Sequence, residues 1–178
     1  MIGGQIRRLR KQRGLTLQQL GEAAGLSAAF LSQVEREVTS LSVSSLSSIA
    51  RALDVNPSLF FPETASNGVT VRGYAREPFR MDHAEVVYAR LGRSFQGRSL
   101  EPLFVTYPPG YLSEVSSHGG EEFYYVLSGQ LVVTLDGETH KLNADDSIHF
   151  RSDRRHQLAN SSDAPVQVVA VTTPALLG

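Results

Sequence analysis

The side chains of this 178-residue chain that could do chemistry fall into two sets. Near the N-terminus, Arg7, Arg8, Arg10, Lys11 and Arg13 form a run of cations suited to phosphate, which such groups meet through charge-assisted hydrogen bonds. In the second half the reactive and metal-ligating types are imidazoles, at His83, His118, His140, His149 and His156, together with fourteen Asp and Glu beyond residue 61. There is no cysteine, which excludes disulfides and thiolate metal sites.

The charge is uneven although the formal net charge is only -1. Residues 1–61 hold seven Lys/Arg against four Asp/Glu, whereas residues 62–178 hold ten against fourteen. A basic head on an acidic body suits a head that touches phosphate. A hydrophobic content of 41% and a charged content of 20% are ordinary for a globular protein, and the length allows one medium domain or two small ones. The first residues lack the apolar stretch of a signal peptide, and no run approaches the length of a membrane span. The expectation is a cytoplasmic protein without a membrane partner.

The cation run needs a helix to present it. Ile2, Ile6 and Leu9 recur at helical spacing and put the cations on the polar face. Leu17, Leu20 and Ala24 predict a second helix with Thr16 as N-cap, and Leu31 and Val34 a third with Ser27 as N-cap. Gly25-Leu26-Ser27 breaks the two apart. Gly25 can take the positive φ of a sharp turn, Leu26 plugs the angle, and Gly21 allows close approach. A fourth helix is predicted from Leu46, Ile49 and Leu53, with Ser42 or Ser44 as cap, ending at Asn56-Pro57 before a short helix through Leu59 and Phe60.

Residues 5–61 resemble the phage-repressor-like (XRE/Cro/cI-type) helix-turn-helix family, on Leu15-Thr16, Leu20-Gly21, Gly25, Ser27, Leu31-Ser32 and Glu35. The resemblance implies a helix that enters the major groove of an operator, with Ala28, Ala29, Ser32 and Gln33 facing base edges. Gln33 is the best equipped, because its amide can bond adenine at N6 and N7 together, whereas Ala28 and Ala29 could touch only a thymine methyl. Thr16, Gln18, Ser27 and Arg36 complete the expected DNA-binding set. The family's basic, glycine-containing turn after this helix is replaced by Glu37-Val38-Thr39, leaving Arg36, Thr39 and Ser40 as phosphate candidates.

Residues 62–68, PETASNG, read as a linker. Beyond it come β-rich runs at 85–88, 103–107, 122–126, 130–135, 147–150 and 166–172, separated by turn residues, which predicts an all-β sandwich or barrel. The expected division is a head at 1–61 with its own core, a linker at 62–69 and a barrel at 70–178. The second part resembles the cupin superfamily, a double-stranded β-helix or jelly-roll barrel. Gly110, Ser116, His118, Glu122 and Gly129 carry the first cupin motif, and His156 with Asn160 the second. Asp145, Arg151 and Asp153 replace the second motif's Gly, Pro and Gly.

Complete cupins hold a divalent metal through three His and one Glu, and Ser116 stands at the first of those His positions. The resemblance therefore implies His118, Glu122 and His156 as a three-ligand set for zinc, nickel or iron. The same set could be a metal-free pocket that hydrogen-bonds an effector, lined by Ser116, His118, Glu122, Tyr124 and His156. Convergence requires the turn at Gly119-Gly120 to preserve the register. Tyr124 is core or pocket wall, Glu121 should face outward, and His83, His140 and His149 match no motif position.

Together the halves resemble helix-turn-helix transcriptional regulators with a cupin sensor. What this implies is a non-enzymatic protein with a double-stranded operator and a small-molecule effector as partners, working as a homodimer. The alternative is a cupin metalloenzyme of non-haem dioxygenase or isomerase type with an auxiliary DNA-binding head, since two His and one carboxylate are also the ligands of non-haem iron oxygenases.

Overall fold

The computed structural model describes residues 2–39, 41–55, 57–60, 69–80, 85–93, 95 and 97–174, so the linker at 62–68, Ser40 and His83 lie outside the described residues. Four helices come first: α1 (Ile2–Gln12), α2 (Leu17–Ala24), α3 (Ala28–Glu35) and α4 (Val43–Ala52), followed by a 3₁₀ turn at Pro57–Phe60. The sequence places their ends through caps. Thr16 Oγ1 accepts from the Gln19 amide at 3.1 Å while Gln19 Oε1 accepts from the Thr16 amide at 2.9 Å, a reciprocal capping box. Ser27 Oγ accepts from Phe30 N at 3.0 Å and Ser42 Oγ from Ser45 N at 3.1 Å, so Ser42 caps α4. Each cap contributes about 1 kcal/mol.

Gly25 ends α2 at φ 69°, and a methyl group on Gly21 would lie 2.5 Å from the Leu26 carbonyl oxygen, which is why the turn needs small residues at both positions. Ile6, Leu20, Leu31, Leu46, Ile49 and Leu53 are fully buried and form the head's apolar centre, each contributing roughly 1.5–3 kcal/mol.

Among the described residues nine strands follow: β1 (Pro78–Phe79), β2 (Val87–Arg90), β3 (Glu101–Tyr107), β4 (Glu121–Ser128), β5 (Leu131–Leu135), β6 (Glu138–Leu142), β7 (Ser147–Arg151), β8 (His156–Ala159) and β9 (Val166–Thr172). They make a six-stranded sheet ordered β1-β2-β3-β9-β4-β7 and a three-stranded sheet ordered β6-β5-β8, all antiparallel. Strict alternation in β3, β5 and β9 buries Leu103, Val105, Tyr107, Leu131, Val133, Leu135, Val166, Val168 and Ala170 on the inner faces.

Three strands go beyond the six sequence-predicted runs. β1 has two residues, β8 has four, and β6 (ETHKL) buries only Leu142, so none carries an apolar alternation long enough to read. The β5–β6 hairpin turns at Asp136 and Gly137, both at positive φ (50° and 90°), as two-residue hairpins require.

Residues 112–118 run beside β8 through bridges Leu112–Ala159 and Ser116–His156, which extends the small sheet. This same segment touches the head. Glu114 Oε1 accepts from Ser42 Oγ at 2.8 Å, so the head is not isolated from the barrel.

Candidate functional site

On the head, Thr16, Gln18, Ser27, Ala29, Gln33 and Arg36 are exposed, while Ala28 and Ser32 are half-buried. No hydrogen bond to another described residue restrains the Gln33 amide. Arg36 Nε donates to the Ser32 carbonyl at 3.1 Å, and Gln18 Nε2 to Glu22 Oε1 at 3.2 Å.

One member of the cation run has a different role from the one its position suggests. Arg10 forms a bidentate pair with Glu35, Nε to Oε1 at 2.5 Å and Nη2 to Oε2 at 2.8 Å, and its Nη1 donates to the Leu15 carbonyl at 2.8 Å. The hydrogen bond to Glu35 holds the guanidinium above its ordinary pKa. Arg10 therefore ties α1 to α3. Arg13 donates to the Asp54 carbonyl at 2.9 Å, while Arg7, Arg8 and Lys11 remain exposed. Glu37, in the turn where the family has glycine, sits at φ 62°, a left-handed conformation that a non-glycine residue adopts at a cost of about 1 kcal/mol.

In the barrel, the turn at Gly119-Gly120 does preserve the register. Gly120 takes φ 106°, and a methyl group there would lie 1.8 Å from the Thr173 carbonyl oxygen, so only glycine fits between the β4 entry and the end of β9. Alternation along β4 then turns Glu122 and Tyr124 inward and Glu121 outward, where Glu121 Oε2 meets His149 Nε2 at 3.0 Å in solvent. His118 arrives from the preceding turn and His156 from the start of β8.

The convergence is close. His118 Nε2 lies 3.0 Å from Glu122 Oε1, His156 Nε2 lies 3.8 Å from Glu122 Oε2, and the two imidazoles meet edge to face at 5.2 Å between centroids. One donor atom from each of the three falls within 4.8 Å of the others. Ser116 Oγ is 2.8 Å from His156 Nε2, and Tyr124 OH donates to Glu122 Oε2 at 2.8 Å, so Tyr124 is a wall of the pocket as well as a core residue stacked on Phe150. Each ring is oriented from behind, His118 Nδ1 on the Gly119 carbonyl at 3.2 Å and His156 Nδ1 on the Arg154 carbonyl at 2.8 Å. With Nδ1 held on a backbone carbonyl, each ring turns its Nε2 toward the pocket, which is how metal-binding imidazoles are commonly held.

All five polar side chains are buried. Burial pushes the Glu122 carboxyl up, but the hydrogen bond from His118, the charges of His156 and His118, and the Tyr124 hydroxyl together hold it below the usual carboxylate range. The carboxylate is thus ionised at neutral pH, and burial raises the Tyr124, Tyr107 and Tyr111 phenols well above their ordinary value. The His118–Glu122 contact requires a proton or a cation on its Nε2 side. Ligand atoms around a tetrahedral ion at 2.0–2.1 Å stand roughly 3.3 Å apart. The three donor atoms, one from each residue, lie within 4.8 Å of one another, so this His-Glu-His group could bind a divalent metal after a small contraction.

The second cupin motif is rebuilt as its substitutions imply. Asp145 takes φ 70° and accepts from Tyr125 OH at 2.7 Å, and Arg151 pairs with Asp153 at 2.7 Å. Asn160 is structural: its Nδ2 donates to the carbonyls of Tyr107, Pro108 and Ala164, and its Oδ1 accepts from Ser162 N. What sequence reasoning missed is Glu114, whose only signal was an acidic side chain two residues before Ser116.

Comparison with known proteins agrees with this two-part fold. Residues 6–60 match the family described as Helix-turn-helix and residues 103–172 the family described as Cupin domain. The chain is 31% identical over 165 residues to the HTH-type transcriptional regulator SutR of Escherichia coli K12, covering 90% of this chain and 88% of that protein. It is 27% identical over 175 residues to the HTH-type transcriptional regulator PuuR of the same organism, covering 97% and 94%. Among solved structures, an HTH_3 family transcriptional regulator from Vibrio cholerae matches with a TM-score of 0.61 at 25% identity, covering 97% of this chain and 94% of that one. A predicted oxalate decarboxylase from Thermotoga maritima shares the barrel fold, with a TM-score of 0.53 at 24% identity over 59% of this chain.

Proposed function

The chain belongs to the helix-turn-helix transcriptional regulators with a cupin domain, and is a DNA-binding regulator; we propose that its barrel binds a small-molecule effector at Ser116, His118, Glu122, Tyr124 and His156 and thereby sets its affinity for an operator. The observation that carries the proposal is the buried Glu122 carboxylate, which meets two imidazoles and a phenol. A ligand that replaces one of those contacts changes the charge balance of the barrel interior.

His118, Glu122 and His156 would hold a zinc, nickel or iron ion, which would supply a positive charge and an open coordination position to an incoming effector. Ser116 keeps its hydroxyl on His156 and leaves the fourth ligand position without an imidazole. On the head, Gln33 reads a base through its free amide, with Thr16, Gln18, Ser27, Ala28, Ala29, Ser32 and Arg36 around it. A single head makes few base contacts, so the protein acts as a homodimer on an inverted repeat. Among the described residues no helix is long and apolar enough to cross a membrane, and a cytoplasmic location suits an operator-binding protein.

Footprinting on DNA selected from random duplexes tests the reading. Protection of an inverted repeat with half-sites about one helical turn apart, or a multiple of it, is the expected result. Protection of one unsymmetrical half-site at every concentration contradicts the dimer. The metalloenzyme reading is favoured by one observation, the two-His-one-carboxylate donor set. Turnover of a bound metabolite by the iron-loaded protein would establish it over the sensor.

A further inference from the structure

We infer that Glu114 carries the state of the barrel pocket to the DNA-binding head, which makes residues 113–118 the regulatory link of the site proposed above; the inference rests on that reading of the pocket. The link has one end in each place. At the pocket, Ser116 exchanges both backbone hydrogen bonds with His156 at 2.9 Å, in addition to the contact of its hydroxyl with the His156 ring. Two residues further on, His118 holds Glu122. At the head, Glu114 Oε1 accepts from the hydroxyls of both Ser42 and Ser45.

Ser42 is the N-cap of α4 and its Oγ accepts the Ser45 amide, so the barrel's carboxylate completes the cap of a head helix, at the end where free N–H groups favour an anion. Only Val115 separates Glu114 from Ser116. Across so short a stretch, at most about 7 Å of extended chain, a displacement of His156 has little slack in which to dissipate. Burial pushes the Glu114 carboxyl up, against hydrogen bonds from its own backbone and from Ser42.

The rest of the seam is thin. The backbone of Gly25 abuts the Ser117 carbonyl, where a methyl group would come within 2.8 Å, and the Arg51 guanidinium lies beside Gly119. Beside the Gly25–Ser117 contact a cleft of about 450 Å3 opens, lined by Leu26 and Phe30 of the head and by Val115 and Arg155 of the barrel. A few polar contacts across an unfilled gap make a boundary that opens more easily than either core. The contact also falls on the turn between α2 and α3, so a shift of residues 114–117 reaches the base of the reading helix.

Amide hydrogen exchange of the full-length protein, without DNA or ligand, tests the link. Glu114→Ala should speed exchange in the first turn of α4 and at the Gly25 turn by about tenfold, while amides of β4 and β9 keep their rates. Ser116→Ala, a change inside the pocket, should speed the same head amides severalfold in the wild-type background and add nothing in the Glu114→Ala background. Additive effects, or head amides indifferent to Ser116→Ala in a barrel that still melts cooperatively, overturn the inference. Should Ser116→Ala unfold the barrel, His156→Gln provides the pocket change with the same expectation. Calorimetric titration with zinc chloride reads the pocket separately. Zinc heat with no response at the head amides overturns the link and leaves the pocket reading standing; coupled mutant effects without zinc heat uphold the link and count against a metal in the pocket.

Discussion

Glu35 in the head and Glu122 in the barrel are both buried, and their partners differ in kind; the barrel's other buried glutamate, Glu101, is paired with a guanidinium, that of Arg98, as Glu35 is. In the head, Glu35 meets Arg10 with both side chains about 90% covered. In the barrel, Glu122 meets two imidazoles and a phenol, and none of the charged partners is more than 3% exposed. A guanidinium keeps its proton at any physiological pH and offers no lone pair, so Arg10–Glu35 can only hold α1 against α3. An imidazole can lose its proton, turn a lone pair inward or take a metal, so the Glu122 cluster can exist in several states. Comparable burial thus gives a fixed strut at Glu35 and a responsive centre at Glu122.

Removing one partner from the strut should give the largest effect. Glu35→Ala leaves the Arg10 guanidinium buried without its carboxylate and should destabilise the head by about 3–5 kcal/mol in urea unfolding, whereas the double replacement Arg10→Met, Glu35→Leu should recover most of that loss. If the double variant were as unstable as the single, the pair would matter for more than mutual compensation.

The responsive centre should instead be open to improvement. Ser116→His adds a third imidazole, and so a fourth ligand, beside His156, and the metal content and affinity of the purified protein should rise, on the order of 10–100-fold in affinity. A variant that gains no metal would show that His118, Glu122 and His156 do not converge on a common ion.

On the reading face, Gln33→Ala should cost on the order of 1–3 kcal/mol on the selected operator and relax preference at one base pair. Arg36→Ala should weaken binding on all sequences alike and flatten its salt dependence. Equal losses on specific and random DNA for both variants would remove Gln33 from the role of reader. The smallest effect belongs to the turn after α3, where Glu37→Gly relieves a left-handed glutamate and should raise thermal stability by roughly 0.5–1 kcal/mol.

How much of this could be read from the sequence follows from the range of each interaction. The helix ends were legible because caps are local: Thr16, Ser27 and Ser42 bond amides three residues away. Strands β3, β4, β5 and β9 showed in their alternation. Strand β8 and the residue 112–118 segment did not, because four residues of mixed polarity become a strand only when a partner distant in sequence supplies the ladder. His118, Glu122 and His156 were legible through motif resemblance, and their convergence depended on the Gly120 turn. Arg10 looked like a phosphate ligand because its partner, Glu35, is 25 residues away. Glu114 was silent for the same reason, since Ser42 and Ser45 lie about seventy residues before it.

The most direct test of the central claim, that pocket chemistry governs DNA binding, is a fluorescence-anisotropy titration of the selected operator. It is run with wild-type protein and with His156→Ala, each with and without zinc or a metabolite found to bind by thermal shift. The account predicts that the ligand changes the operator affinity of the wild-type protein by about tenfold and leaves that of His156→Ala unaltered. A ligand effect of the same size in both proteins, or one absent from the wild type at saturating ligand, would contradict it.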